Sequence, residues 1–198
     1  MGSMNLLYQY IIACTNLYGL VPITKVLEIY NQQNDQNMPF VEYYRFLEAH
    51  KKELEEEMVT IHVEHFVYET IWDSGEFETV INAKIGKPMY IPPKDELLKY
   101  TDALYFEKNE QYNAVYDYAL KNFFDGDADK TATLCRELYT TSMANYRFRQ
   151  IYSDLKRHGA VYEDVWNMKK EFEPLISQLA DSARLWENNG FTAKELRE

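Results

Sequence analysis

The sequence has little of what recognisable catalytic motifs are made of. It contains two cysteines, four histidines and seven scattered glycines. No Gly-rich phosphate loop, no G-x-G-x-x-G and no G-x-S-x-G can be found. Its apolar runs fall short of the ~20 residues that a membrane span needs. We therefore predict a protein with no cofactor, no membrane contact and no identifiable nucleophile.

The charge balance argues against nucleic acid as a partner. Acidic side chains number 32 and basic ones 21, which gives a formal net charge of −11. Such a field repels phosphate backbones as a whole. Hydrophobic residues nevertheless make up 46% of the chain, and 17 Tyr and 10 Phe can supply a large core. The composition predicts a folded, acidic protein.

The two cysteines, Cys14 and Cys135, both lie inside apolar segments of helical periodicity. Free cysteine commonly acts there as a small hydrophobic residue. Two reduced, buried thiols are therefore favoured over a disulfide. No cationic leader followed by an apolar core and a cleavage site is visible either. We expect a cytoplasmic location.

The order of elements in the first 71 residues is typical of a winged helix-turn-helix. Helical periodicity over 5–18 ends at Gly19, a short extended stretch precedes a helix over 24–33, and Pro39 opens a third helix to about residue 57. Alternating residues over 59–71 then predict a hairpin. A plain helical bundle with one irregular insertion is the alternative.

The remaining chain is predicted to be helical, so that the fold class is mainly α. The three prolines of 86–93 indicate an extended connector between a winged-helix-like domain over 4–85 and a helical bundle over 94–198. Pro174 should kink or break the last helix. The predicted helices of the bundle are 94–104, 110–124, 128–142, 144–158 and 161–188.

Three phrases of the sequence are similar to a known group. Asn16–Ile23 reads NLYGLVPI, 86–100 contains GKPMYIP and ELLKY, and 184–196 reads RLWENNGFTAKEL. These resemble uncharacterised bacterial proteins related to those that carry a small zinc-binding SEC-C motif. The resemblance implies a bacterial protein of this architecture. It implies no zinc here, because no cysteine follows Cys135.

Two short motifs suggest metals, and each has a simpler explanation. A calcium loop starting at Asp125 would need Gly at its sixth position and Glu at its twelfth, which here are Lys130 and Arg136. An acidic helix cap explains that run equally well. His62 and His65 would point to opposite faces of a single strand, which prevents chelation. We predict no bound metal.

The third predicted helix carries six glutamates against Arg45, Lys51 and Lys52, and the first 91 residues hold 13 acidic and 6 basic side chains. A helix with this charge is poorly suited to enter a major groove. The pattern favours a winged helix that contacts protein, with DNA binding as the alternative.

Candidate interaction residues also occur near the C-terminus. Arg147, Arg149, Lys156 and Arg157 form a basic patch beside aromatic residues, which is suited to stacking on bases or to pairing with the chain's own carboxylates. Trp186 should anchor the end of the last helix, or serve as a docking surface if it is exposed.

Together these patterns predict a non-catalytic intracellular protein-interaction module. Its partner would be another protein or a second copy of the chain, and nucleic acid is unlikely on the charge alone. One alternative is a transcription-related DNA-binding regulator that uses the winged-helix-like domain. Another is a hydrolase whose carboxylates come together only in the fold.

Overall fold

The computed structural model is mainly helical, with a small antiparallel sheet near the N-terminus followed by further helices, which confirms the predicted fold class. It describes residues 2–143, 148–162 and 164–198. Within these residues, no helix is both long enough and apolar enough to cross a membrane.

The chain forms two compact units. Unit 1 contains the residues up to Phe106 together with 186–191, and unit 2 contains 107–185 and 192–198. The connector predicted over 86–93 lies inside unit 1. It is fixed there by hydrogen bonds from the Tyr18 hydroxyl to the carbonyl of Tyr90 (2.7 Å) and from the Gln33 amide to the carbonyl of Pro92 (2.8 Å).

Unit 1 has the element order of a winged helix. Its elements are α1 (Gly2–Tyr18), β1 (Leu20–Pro22), α2 (Ile23–Gln33), α3 (Phe40–Ala49), α4 (Lys51–Glu56), β2 (Val59–His62), β3 (His65–Tyr68), α5 (Glu69–Asp73), α6 (Phe77–Lys84), α7 (Lys94–Leu97) and a 3₁₀ turn (Leu98–Thr101). The strands lie in the order β1-β3-β2, and both pairings are antiparallel. The β2–β3 hairpin is the wing.

A two-residue turn forms the tip of the wing. His62 pairs with His65, so the turn consists of Val63 and Glu64, with φ of 42° and 58°. Both values lie in the left-handed region that a two-residue hairpin turn requires, and which Asn and Gly usually occupy. Because Val63 and Glu64 stand there instead, the sequence carries no local signal for this turn.

The third predicted helix is two helices, with a break at His50. The His50 ring stacks on Phe46 with centroids 4.1 Å apart, and its Nδ1 lies 2.9 Å from the Phe46 carbonyl oxygen. The backbone at His50 leaves helical geometry, with φ −115° and ψ 17°. The backbone hydrogen bonds from the His50 amide to Phe46 (3.0 Å) and from the Leu54 amide to His50 (3.0 Å) continue across this change of direction, so the sequence pattern reads as one helix.

The core of unit 1 is built around α1. Leu7, Tyr10, Ile11 and Cys14 are fully buried there. Cys14 is free, as expected, and burial raises the pKa of its thiol far above the ordinary value. Gly19 ends the helix with φ +67°, as the sequence predicts.

Unit 2 consists of α8 (Glu110–Asn122), α9 (Ala128–Met143), α10 (Phe148–Arg157) and α11 (Val165–Ser182). The buried side of α11 is Met168, Phe172, Ile176 and Leu179. This helix is shorter than the predicted 161–188. Asp164 caps it by accepting from the amide of Trp166 (2.8 Å), which leaves Val161 outside the helix and 72% exposed. Pro174 lies within a continuous helix and does not break it.

Candidate interaction surface of the winged-helix unit

The helix that a winged-helix protein would present to a ligand is α3. Its inner side buries Tyr43, Phe46 and Leu47. Its outer side forms an open surface patch, which we call the α3 face. The residues of the α3 face are Phe40, Val41, Tyr44, Arg45, Glu48 and Ala49.

The centre of the α3 face is apolar and open to solvent. Phe40 is 54% exposed and Val41 is 59% exposed. The Phe40 and Tyr44 rings pack one helical turn apart, with centroids separated by 4.7 Å. Single exposed apolar residues are common on any surface, but two large ones beside a tyrosine form a contiguous apolar patch, which is the kind of surface that contact sites use.

Hydrogen bonds connect the wing to the α3 face. The Tyr44 hydroxyl donates to the carboxylate of Glu64 at the wing tip, and this bond raises the pKa of Tyr44. The Glu64 carbonyl accepts from the amide of Ile23 (2.9 Å), whose own carbonyl accepts from the Tyr43 hydroxyl (3.0 Å). The wing, α2 and α3 therefore present one continuous surface.

Carboxylates dominate the charge around this surface. Glu42 and Glu48 on α3 and Glu64 on the wing are exposed, against one guanidinium, that of Arg45. The next segment is also acidic, with exposed Glu53, Glu55, Glu56 and Glu57 following Lys51 and Lys52.

The acidic segment acts electrostatically on a neighbouring side chain. Burial raises the pKa of Tyr8, and the charges of Glu57, Glu53 and Glu56 raise it further. The Tyr8 hydroxyl donates to the Glu53 carbonyl (2.7 Å), so that it lies among these groups. This region of unit 1 therefore carries a negative potential, which phosphate groups avoid.

The two histidines of the wing are placed differently from the expectation. His62 and His65 pair directly across the hairpin, because the chain reverses between them, so they share one face. Their rings lie 4.9 and 6.0 Å from the Phe77 ring, and His62 is also 4.4 Å from that of Trp72. Within the described residues, no group of three potential ligands forms around them.

The acidic run after α8 caps a helix. The Asp127 carboxylate accepts from the amide of Lys130 (3.1 Å) and pairs with its ammonium (3.0 Å), and these hydrogen bonds lower the pKa of Asp127. The structure therefore supports an acidic helix cap as the explanation of this run.

Of the basic patch predicted in unit 2, Arg157 is the residue that pairs with the chain's own carboxylates in the described part of the structure. Arg147 and the side chain of Arg149 lie outside the described residues, and Lys156 is exposed. Arg157 donates to Glu137 and to Asp154, at 2.7 Å each.

His158 completes this cluster with a contact of 2.7 Å to Glu137. Burial opposes ionisation of Glu137, but hydrogen bonds from His158 and Arg157 outweigh it and lower its pKa. Burial raises the pKa of Asp154. In the described part of unit 2, this cluster brings a histidine and two carboxylates together. Its groups pair with one another and link α9 to the end of α10.

Trp186 has a different position from the predicted helix end, because α11 already ends at Ser182. It begins a 3₁₀ turn (Trp186–Asn188) in the segment that belongs to unit 1. The half-buried indole donates from Nε1 to the Asn16 carbonyl (3.0 Å) and packs 5.3 Å from the Tyr68 ring. A Cβ on Gly19 would lie 2.4 Å from the indole Cδ2.

Lys84 is a structurally important residue that carries no sequence signal, because lysine in an amphipathic helix is normally exposed. It is buried, and its Nζ donates to the carbonyls of Tyr18 (2.7 Å) and Leu20 (2.6 Å), which caps the end of α1. Burial lowers the pKa of Lys84 to about 7, with a smaller contribution from the charge of Lys87.

Comparisons with protein-family models, with curated proteins and with solved structures found no match to this chain. The similarity to bacterial proteins related to the SEC-C group therefore stays a prediction. The class that the fold defines is a mainly helical protein with a winged-helix unit.

Proposed function

We propose that this chain is a non-catalytic, intracellular protein-interaction module that binds a protein partner through the α3 face and the wing. The observation that carries the proposal is the exposure of Phe40 and Val41 on the outer side of α3. A partner that covers this apolar patch removes its surface from water, which favours association. The hydrogen bond between Tyr44 and Glu64 supports the same surface by fixing the wing beside the helix.

DNA binding is the second candidate, and the winged-helix element order favours it. Its electrostatics are unfavourable. Affinity for duplex DNA comes largely from lysine and arginine that neutralise phosphates, and the α3 face supplies Arg45 beside Glu42 and Glu48. Apolar Phe40 and Val41 would meet the groove where base-reading polar side chains are needed. Protein contact agrees better with both features.

A comparative capture experiment tests the proposal. The tagged full chain, a face variant (Phe40→Ser with Val41→Ser) and a control variant (Ile85→Ser with Leu104→Ser) are used to capture proteins from the native host. The control positions are 74% and 67% exposed and lie outside the α3 face. All four substitutions are at surface positions, where stability changes by only about 0.5 kcal/mol.

We expect one protein that the wild type and the control variant retain and the face variant loses. Its binding is then measured with purified components. The proposal fails if no captured protein distinguishes the two variants. It also fails if the full chain binds a specific duplex with sub-micromolar affinity at about 150 mM salt and the face variant does not, because that result would assign the α3 face to DNA.

A further inference from the structure

The charge around the α3 face restricts what can cover it. Its apolar centre is Phe40, Val41 and the ring of Tyr44, and its border carries the exposed carboxylates of Glu48 and Glu64 against the single guanidinium of Arg45. A partner that covers the centre must bring its own edge next to these carboxylates. Like charges at that position oppose association, and opposite charges favour it.

We propose that the occupant of the α3 face is a basic amphipathic helix of another protein, with apolar residues on one side and lysine or arginine along its edges. This inference rests on the proposed function and specifies the chemistry of the partner. The helix α3 has ten residues and is about 15 Å long. That length accommodates apolar anchors at positions i, i+3 or i+4, and i+7 of a docked helix.

A second copy of this chain is a poorer occupant. A twofold contact through the α3 face would bring the exposed carboxylates of Glu42, Glu48 and Glu64 from both copies into one interface, where like charges oppose association. Both copies also carry a formal net charge of −11. A lipid surface is disfavoured for the same reason, because anionic headgroups attract basic segments and repel acidic ones.

Three fluorescent synthetic peptides of about 18 residues test the inference by anisotropy with the full chain. The first has leucine at helical spacing with lysine elsewhere, the second replaces every lysine by glutamate, and the third scrambles the first so that no apolar face remains. We expect the first to bind at least about tenfold more tightly than the other two. Its binding should weaken with added salt, since the border charges are exposed to solvent.

Matched variants locate the binding. Glu48→Lys changes a residue of the α3 face, and Glu78→Lys changes an exposed residue of α6. Because both replace a glutamate by a lysine, they change the net charge equally. We expect Glu48→Lys to weaken the leucine–lysine peptide about tenfold and Glu78→Lys to leave it within about twofold. The variant with Phe40→Ser and Val41→Ser should also lose binding.

Several results would overturn the inference. Equal binding of the lysine peptide to wild type and face variant would indicate general attraction to an acidic protein. Tighter binding of the glutamate peptide, or no binding of any peptide, would show that the occupant has other chemistry. A dimer in sedimentation that the face variant abolishes would identify a second copy as the occupant. The proposed function is tested separately, because a captured partner of any charge would still support it.

Discussion

Replacing Gly19 by alanine should destabilise unit 1 far more than the same change at another glycine of similar backbone geometry. Gly19 has φ +67°, and three carbons of the Trp186 indole would lie 2.4–2.8 Å from its new Cβ. The left-handed conformation costs a non-glycine residue about 1 kcal/mol. Forcing a methyl group into an occupied space costs a further 1–3 kcal/mol or so. We expect a total loss of about 3 kcal/mol.

Gly75→Ala is the matched control. Gly75 has φ +70°, and no atom of the described residues lies within 4 Å of its added Cβ, so only the backbone strain of about 1 kcal/mol applies. The conformational entropy that the unfolded chain loses is the same for both changes and cancels in the comparison. Urea titrations followed by circular dichroism give the free energies of unfolding.

A double-mutant cycle shows whether the indole is the cause. In a Trp186→Ala background, Gly19→Ala should cost only about 1 kcal/mol, which leaves a coupling of about 2 kcal/mol. The reasoning is refuted if Gly19→Ala and Gly75→Ala are equally destabilising. It is also refuted if the cost at Gly19 is unchanged without the indole, because the 186–191 segment would then not lie on α1.

Three further results are expected. Trp186→Ala should lower the free energy of unfolding by about 3 kcal/mol in the same titrations. Trp166→Ala is the control, at a residue 74% exposed, and should change the free energy of unfolding by less than about 0.5 kcal/mol. Equal effects of the two changes would contradict the placement of Trp186. The Lys84 pKa falls from 10.5 to about 7 on folding, so the unfolded chain binds the extra proton above pH 7 and stability rises with pH. The free energy of unfolding of the wild type, relative to that of Lys84→Met, should therefore rise by up to about 1.4 kcal/mol per pH unit between pH 7 and 10. A difference between the two proteins that does not change with pH would contradict this. Elemental analysis should find no stoichiometric zinc or calcium in the purified chain, and one equivalent of either would contradict the prediction.

The winged-helix element order could be read from the sequence because its signals are local. Gly19 ends α1 by its left-handed backbone, Pro39 precedes α3, and the alternation over 59–71 marks the hairpin. These signals depend on backbone stereochemistry and hydrophobic period, which one segment determines by itself. The break at His50 did not follow, since a helical period cannot reveal a ring that stacks on the preceding turn.

Features that join distant parts of the chain could not be predicted from the sequence. Lys84 caps an element 66 residues earlier, and Trp186 donates to a carbonyl 170 residues earlier. Composition and period carry no information about such pairs. The sequence predicts the excess of carboxylates around the α3 face, but it does not predict the exposed apolar patch. Phe40 and Tyr44 had the spacing of core residues, and only the packing of Tyr43 and Phe46 shows which side of α3 is inward.

Hydroxyl-radical footprinting of the full chain, alone and with a bound partner or with the leucine–lysine peptide, tests the central claim most directly. Oxidation of exposed aromatic side chains falls when a partner covers them. The account predicts that Phe40 and Tyr44 are protected while exposed Trp72 and Trp166, outside the α3 face, are oxidised as before. Unchanged oxidation of Phe40 and Tyr44 in the complex, or protection confined to Trp166 in unit 2, would contradict it.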